Sequence, residues 1–141
     1  MIDRDPELGI DRLASAMLRF PAGHASFTCG SQIVRHQRMQ VFGTERRIDV
    51  ETPLNAPPDR ACRIFIDDGS QLAGGSVEHM TFPVVDQYTT QAEAFSRAVR
   101  GLGTFPITLA DSVANMAVLD ALFRSATSER WEAPLTARSS S

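Results

Sequence analysis

Asp86-Gln-Tyr-Thr-Thr-Gln-Ala-Glu-Ala-Phe-Ser-Arg-Ala-Val-Arg100, closed by Gly101, divides this chain into strands before it and one more helix after it. Tyr88, Ala92, Phe95 and Val99 fall at i, i+4, i+7 and i+11, the stripe of an amphipathic helix. Asp86 is placed to cap the first turn, where a carboxylate accepts orphan backbone N–H bonds and meets the positive end of the helix dipole. Gly101 takes the left-handed conformation that ends a helix. A stripe of this kind speaks first for packing against a core, and by itself for no activity.

Upstream, the pattern has period two. From Leu13 the apolar residues Ala14, Ala16, Leu18 and Phe20 alternate with Ser15 and Arg19, a half-buried strand. Pro21-Ala22-Gly23 turns the chain, and a return strand runs from His24 to about Gln32, with Ala25, Phe27 and Cys29 on one face. A third strand near Arg38–Phe42 leads through Gly43-Thr44-Glu45-Arg46 into Arg47-Ile48-Asp49-Val50-Glu51, which alternates without a fault. Pro53, Pro57 and Pro58 stiffen the connection from Thr52 to Arg60. Arg63–Asp67 is a fifth strand, and Glu78–Phe82 a sixth, stopped by Pro83.

Downstream, Thr108 and Asp111 form a capping pair. Leu109, Val113, Met116, Leu119 and Phe123 then carry a second helix to about Ala126. Its opposite side (Ala110, Ala114, Val118, Leu122) is also apolar, so the helix is expected to be largely buried. Strands followed by helices predict an α+β fold: an open, mostly antiparallel sheet of five to six strands with two C-terminal helices packed on one face. Residues 1–10 read as a flexible lead-in, 11–132 as one domain, and 133–141 as a disordered tail. The second face of such a sheet must be wet or meet another molecule.

Composition sets limits on function. With 43% hydrophobic and 22% charged residues, the 141-residue chain is of ordinary globular type. A net charge of −3 gives no reason to expect nucleic acid or an anionic membrane as partner. Cys29 and Cys62 are too few for a disulfide framework and read as reduced thiols of a cytoplasmic protein. All 14 basic residues are arginine. Without lysine, this chain alone has no Schiff-base chemistry and no lysine-assisted proton transfer.

No local motif predicts a catalytic or metal site. Gly69-Ser-Gln-Leu-Ala-Gly-Gly-Ser76 has the glycine spacing of a phosphate loop, but Gly75 stands where lysine belongs and no helix is predicted to follow. His24, His36 and His79 lie in separate elements without metal-ligand spacing. Cys29 sits on the apolar side of its strand, and Asp67-Asp68 reads as a charged strand end. Arg35-His36-Gln37-Arg38 interrupts the alternation between two strands, so it lies at an end of the sheet, where it can bind an anion or a hydroxylated ligand or stand solvated.

Read whole, the chain resembles the C-terminal domain of the Gfo/Idh/MocA dehydrogenases, the family of glucose–fructose oxidoreductase and inositol 2-dehydrogenase. Ala16–Cys29 looks like that domain's opening hairpin, Gln40–Val50 is similar to its v-x-G-t-x-G-x-l/i hairpin, and Asp86–Phe95 with Asp111–Phe123 are like its closing helices. One departure is Arg46, where the family usually has glycine; a left-handed backbone there would cost on the order of 1 kcal/mol. The family's Rossmann domain, its Glu-Lys-Pro lysine and its Asp-x-x-x-His motif have no counterpart in this sequence.

The resemblance therefore implies a fragment: the substrate-binding and dimerisation half of an NAD(P)-dependent oxidoreductase acting on a sugar or cyclic polyol. NAD or NADP would belong to the full-length enzyme and its missing Rossmann domain, and none to this chain. It also implies that the aromatic matched by Tyr88 lies by the substrate crevice. A phenol and an amide suit sugar hydroxyls, so Tyr88 and Gln87 are the first substrate-binding candidates. Arg35 and His36 follow from their place at the strand junction. Strand alternation puts Arg47, Asp49, Glu51, Arg63 and Phe65 on the face away from the helices, the candidate surface of a homodimer. Two other classes compete: a non-catalytic interaction module using the open sheet face, and a small α+β enzyme built on Arg35, His36 and a carboxylate.

Overall fold

The computed structural model describes residues 1–135 and has the α+β architecture expected, with antiparallel strands throughout. Its seven strands are β1 (Ile2–Arg4), β2 (Asp11–Phe20), β3 (Gly23–Gly30), β4 (Met39–Phe42), β5 (Arg47–Val50), β6 (Cys62–Asp67) and β7 (Glu78–Phe82). The helices are α1 (Gln87–Val99) and α2 (Leu109–Ser128). The strands divide into a three-stranded sheet, β1-β2-β3, and a four-stranded sheet, β4-β5-β6-β7. Residues 11–132, read above as one domain, divide with them: Met1–Val34 and the chain from Pro106 form one compact unit, Arg35–Phe105 the other.

In the first unit, β2 and β3 form a hairpin in the expected register, with Ala14, Ala16 and Leu18 opposite Cys29, Phe27 and Ala25. On the other face the Ser15 and Thr28 hydroxyls share a hydrogen bond of 2.9 Å. The lead-in is a structured segment. Ile2–Arg4 pairs with β2, and the Asp5 carboxylate accepts hydrogen bonds from the Glu7 and Leu8 amides to build the connecting turn. A three-residue edge strand is too short to show a period, which is why alternation does not detect it.

The α2 start has the full capping box: the Thr108 hydroxyl accepts from the Asp111 amide, and the Asp111 carboxylate accepts from the Thr108 amide. The helix, expected to be largely buried, is mostly exposed. Ala121 is buried, with Ala117, Val118 and Leu122 half-buried, while the stripe residues Leu109, Val113, Met116, Leu119 and Phe123 are exposed. With apolar residues on both sides, periodicity could not select between them.

In the second unit, Asp86 caps α1 as expected, its carboxylate accepting from the Tyr88 amide and the Thr89 hydroxyl. Gly101 has φ +70° just past the helix. The α1 stripe is not core. Tyr88, Phe95 and Val99 are 64%, 58% and 72% exposed, and the half-buried positions are Gln87, Ala94 and Ala98. Phe95 does meet Phe105 edge-on, at 5.9 Å between centroids. The β4–β5 turn closes with the Gly43 amide donating to the Arg46 carbonyl at 2.9 Å. Arg46 is not at positive φ, so this turn avoids the left-handed strain its sequence would otherwise carry. Among the described residues, no helix is long and apolar enough to cross a membrane. The expected tail from 133 falls mostly outside the described residues.

Candidate functional site

Two arrangements in the second unit gather the residues that sequence singled out. The first is one face of the four-stranded sheet. Register sets Gln40, Asp49, Phe65 and His79 side by side across β4 to β7, with Arg47 beside Asp67 in the next row. Arg38 donates through Nε to Asp49 Oδ1 at 2.6 Å, and Gln40 Nε2 donates to Asp49 Oδ2 at 3.1 Å. Arg63 grips Glu51 with both Nε and Nη2, at 3.0 and 2.6 Å, and Arg47 Nη2 donates to Asp67 at 2.9 Å. The guanidinium carbons of Arg38 and Arg63 lie 5.8 and 5.3 Å from the Phe65 ring centroid, within cation–π range. Phe65, Arg47, Asp49, Glu51 and Arg63, the expected dimer-face residues, thus share one surface.

Two of its carboxylates are covered within the chain. Asp49 is 7% and Asp67 9% exposed. The Arg38 hydrogen bond holds the Asp49 carboxyl below its ordinary pKa against the opposing effect of burial, with help from Gln40. Arg63 does the same for Glu51. For Asp67 the Ser76 hydroxyl leads, donating at 2.7 Å, followed by the Gly69 amide. Arg38, Arg47 and Arg63 balance Asp49, Glu51 and Asp67, so the face has no net charge.

The opposite face of the same sheet is apolar and partly open: Met39, Val41, Ile48, Met80 and Phe82 are exposed, and between them Val50, Ile64 and Ile66 are half-buried. Sequence alternation assigned Ile48, Val50, Ile64 and Ile66 to the helix-covered side, yet the sheet's two buried residues, Asp49 and Asp67, lie on the charged face. Arginine has a long apolar stem that lies across its neighbours, and here those stems and Phe65 screen the carboxylates.

The second arrangement is at the sheet's end. The Leu54 amide donates to Gln37 Oε1 at 3.0 Å, drawing the Arg35–Arg38 run to the proline-stiffened connection. One residue on, Asn55 Oδ1 accepts from the Tyr88 hydroxyl at 3.0 Å, across 33 residues of sequence. Gln37 and Asn55 thereby join the neighbourhood of Arg35 and His36 to that of Gln87 and Tyr88. Asn55 has φ +45° and is one of two non-glycine residues at positive φ among those described. Holding it there costs on the order of 1 kcal/mol. Sequence reasoning passed over Asn55, and took Gln37 only as part of the Arg35–Arg38 run. The available signal was an asparagine, the side chain most tolerant of positive φ, two residues before a Pro-Pro pair.

Arg35 and His36 are exposed, and neither side chain has a hydrogen-bond or ion-pair partner among the described residues. The loop Gly69–Ser76 leads into β7 and not into a helix. It therefore lacks the N-terminal helical amides that cradle a pyrophosphate, and its residues do not fit a dinucleotide. Among the described residues no three of His, Cys, Asp and Glu come together to hold a metal ion. In the first unit an open groove of about 1290 Å³ separates the sheet from α2, lined by Leu13, Phe27, Cys29, Leu119, Phe123 and Trp131 among others.

No protein-family model matches the chain. It is 43% identical over 131 residues, 92% of its length, to the uncharacterized oxidoreductase ORF334 of Rhizobium meliloti, covering 39% of that protein. It is 27% identical over 121 residues, 85% of its length, to D-xylose 1-dehydrogenase (NADP(+)) 2 of Haloferax volcanii, covering 36% of it. Both relatives are oxidoreductases by name, and one is a sugar dehydrogenase. That is consistent with the resemblance to the Gfo/Idh/MocA oxidoreductases. The chain spans less than two fifths of either relative.

Proposed function

We propose that the chain is the substrate-binding and dimerisation part of an NAD(P)-dependent oxidoreductase acting on a sugar or cyclic polyol, the C-terminal domain of a Gfo/Idh/MocA-like enzyme. The carrying observation is the 43% identity, over nearly all of the chain, to an oxidoreductase of which it covers only 39%. The nicotinamide, which takes or gives the hydride, and the lysine that handles the hydroxyl proton belong to sequence outside this chain. This chain's share is binding. Tyr88 and Gln87 offer a phenol and an amide to substrate hydroxyls, and Arg35 and His36 a cation and an imidazole from the strand junction.

Burial supports an incomplete body. Two compact bodies of half this mass would together expose about 8,700 Å², whereas the chain exposes 11893 Å². Ala121 is the one buried hydrophobic residue described. The stripes of α1 and α2 and the apolar face of the four-stranded sheet are surfaces for the rest of a longer protein to cover. The charged face suits a second copy: a surface with three arginines and three carboxylates meets its own image without net repulsion.

The test is an assay of the longer reading frame that contains this chain, against the chain alone, with NAD or NADP and a panel of aldoses and cyclic polyols. Turnover by the longer protein and none by the chain is the expected result. Turnover by the chain alone overturns the division of labour. A longer protein that pairs but neither binds dinucleotide nor turns over favours the non-catalytic interaction module, for which the extent of exposed apolar surface also speaks.

A further inference from the structure

We draw no further inference here: the strongest candidate, the open apolar groove between the three-stranded sheet and α2 in the first unit, lined by Leu13, Phe27, Leu119, Phe123 and Trp131, carries nothing because nothing in the structure shows what covers it.

Discussion

The two faces of the four-stranded sheet invert the usual expectation. The charged face, with Arg38, Arg47, Asp49, Glu51, Arg63 and Asp67, holds the second unit's two buried residues among those described. The apolar face leaves Met39, Val41, Ile48, Met80 and Phe82 exposed, with Val50, Ile64 and Ile66 only half-buried. Burial depends on what lies above a residue as much as on its hydrophobicity. A carboxylate clamped by arginines is covered by their stems, while an isoleucine is covered only if another element arrives. The carboxylates of the charged face are therefore satisfied within this chain, while the outer residues of both faces stay exposed.

The largest effect should come from breaking the charged face as a pairing surface. Phe65→Asp replaces the aromatic at the centre of that face, opposite Asp49 and His79, with a carboxylate. Phe65 is already half-buried, so pairing would remove about 1 kcal/mol per copy of further apolar exposure, or some thirtyfold in the dimer Kd. Sedimentation should show the parent as a dimer and the variant shifted to monomer. A parent that sediments as a monomer at tens of micromolar, or a variant dimer as tight as the parent, would leave the face as an internal lattice only.

A smaller loss, confined to folding, is expected from Asp49→Ala, which strips Arg38 and Gln40 of their shared acceptor. Because Arg38 can turn to water, the cost should be about 1 kcal/mol, seen as a lower urea midpoint with unchanged slope. Acid should sharpen the same point. Asp49, Glu51 and Asp67 have lowered folded pKa values. Their stabilisation is fully present above the unfolded carboxylate range, roughly pH 4, and is lost as pH falls through the folded values. Stability should therefore be level near neutrality and fall below about pH 4, less steeply in Asp49→Ala. An identical acid limb in parent and variant would remove Asp49 from that account.

The smallest effect is expected on the open side. Val99→Ser, on the exposed α1 stripe, should change the chain's own stability by less than about 0.5 kcal/mol. In the longer reading frame the same substitution should be clearly destabilising if the stripe is covered there, as proposed above. Equal, negligible costs in both would show that the stripe stays bare.

Much of the local structure was legible in the residues. The Arg47–Glu51 alternation, the Glu78–Phe82 strand before Pro83, the Asp86 cap and the Thr108/Asp111 box all correspond to what forms. Each is decided by neighbours within a few positions, through pleat, ring constraint or an orphan amide. The gathering of Phe65 with its flanking charges was also legible, because strand register places every second residue on one face. The candidate site was legible only in part. Tyr88, Gln87, Arg35 and His36 could be selected by chemistry and resemblance, but not the Gln37–Leu54 and Tyr88–Asn55 hydrogen bonds between them.

What the sequence by itself determined is where strands and helices start, stop and turn, since those are short-range matters of sterics and hydrogen bonding. Tertiary structure alone decided which side of each element is covered. The apolar stripes of α1 and α2 are unmistakable in the sequence and exposed in the fold, because a period reports that a face can be buried and not that anything lies against it. It also decided that an asparagine in a proline-rich connection would be held at positive φ against a tyrosine 33 residues away. A contact of that kind depends on two backbones arriving at the same place, and no spacing within either segment encodes it.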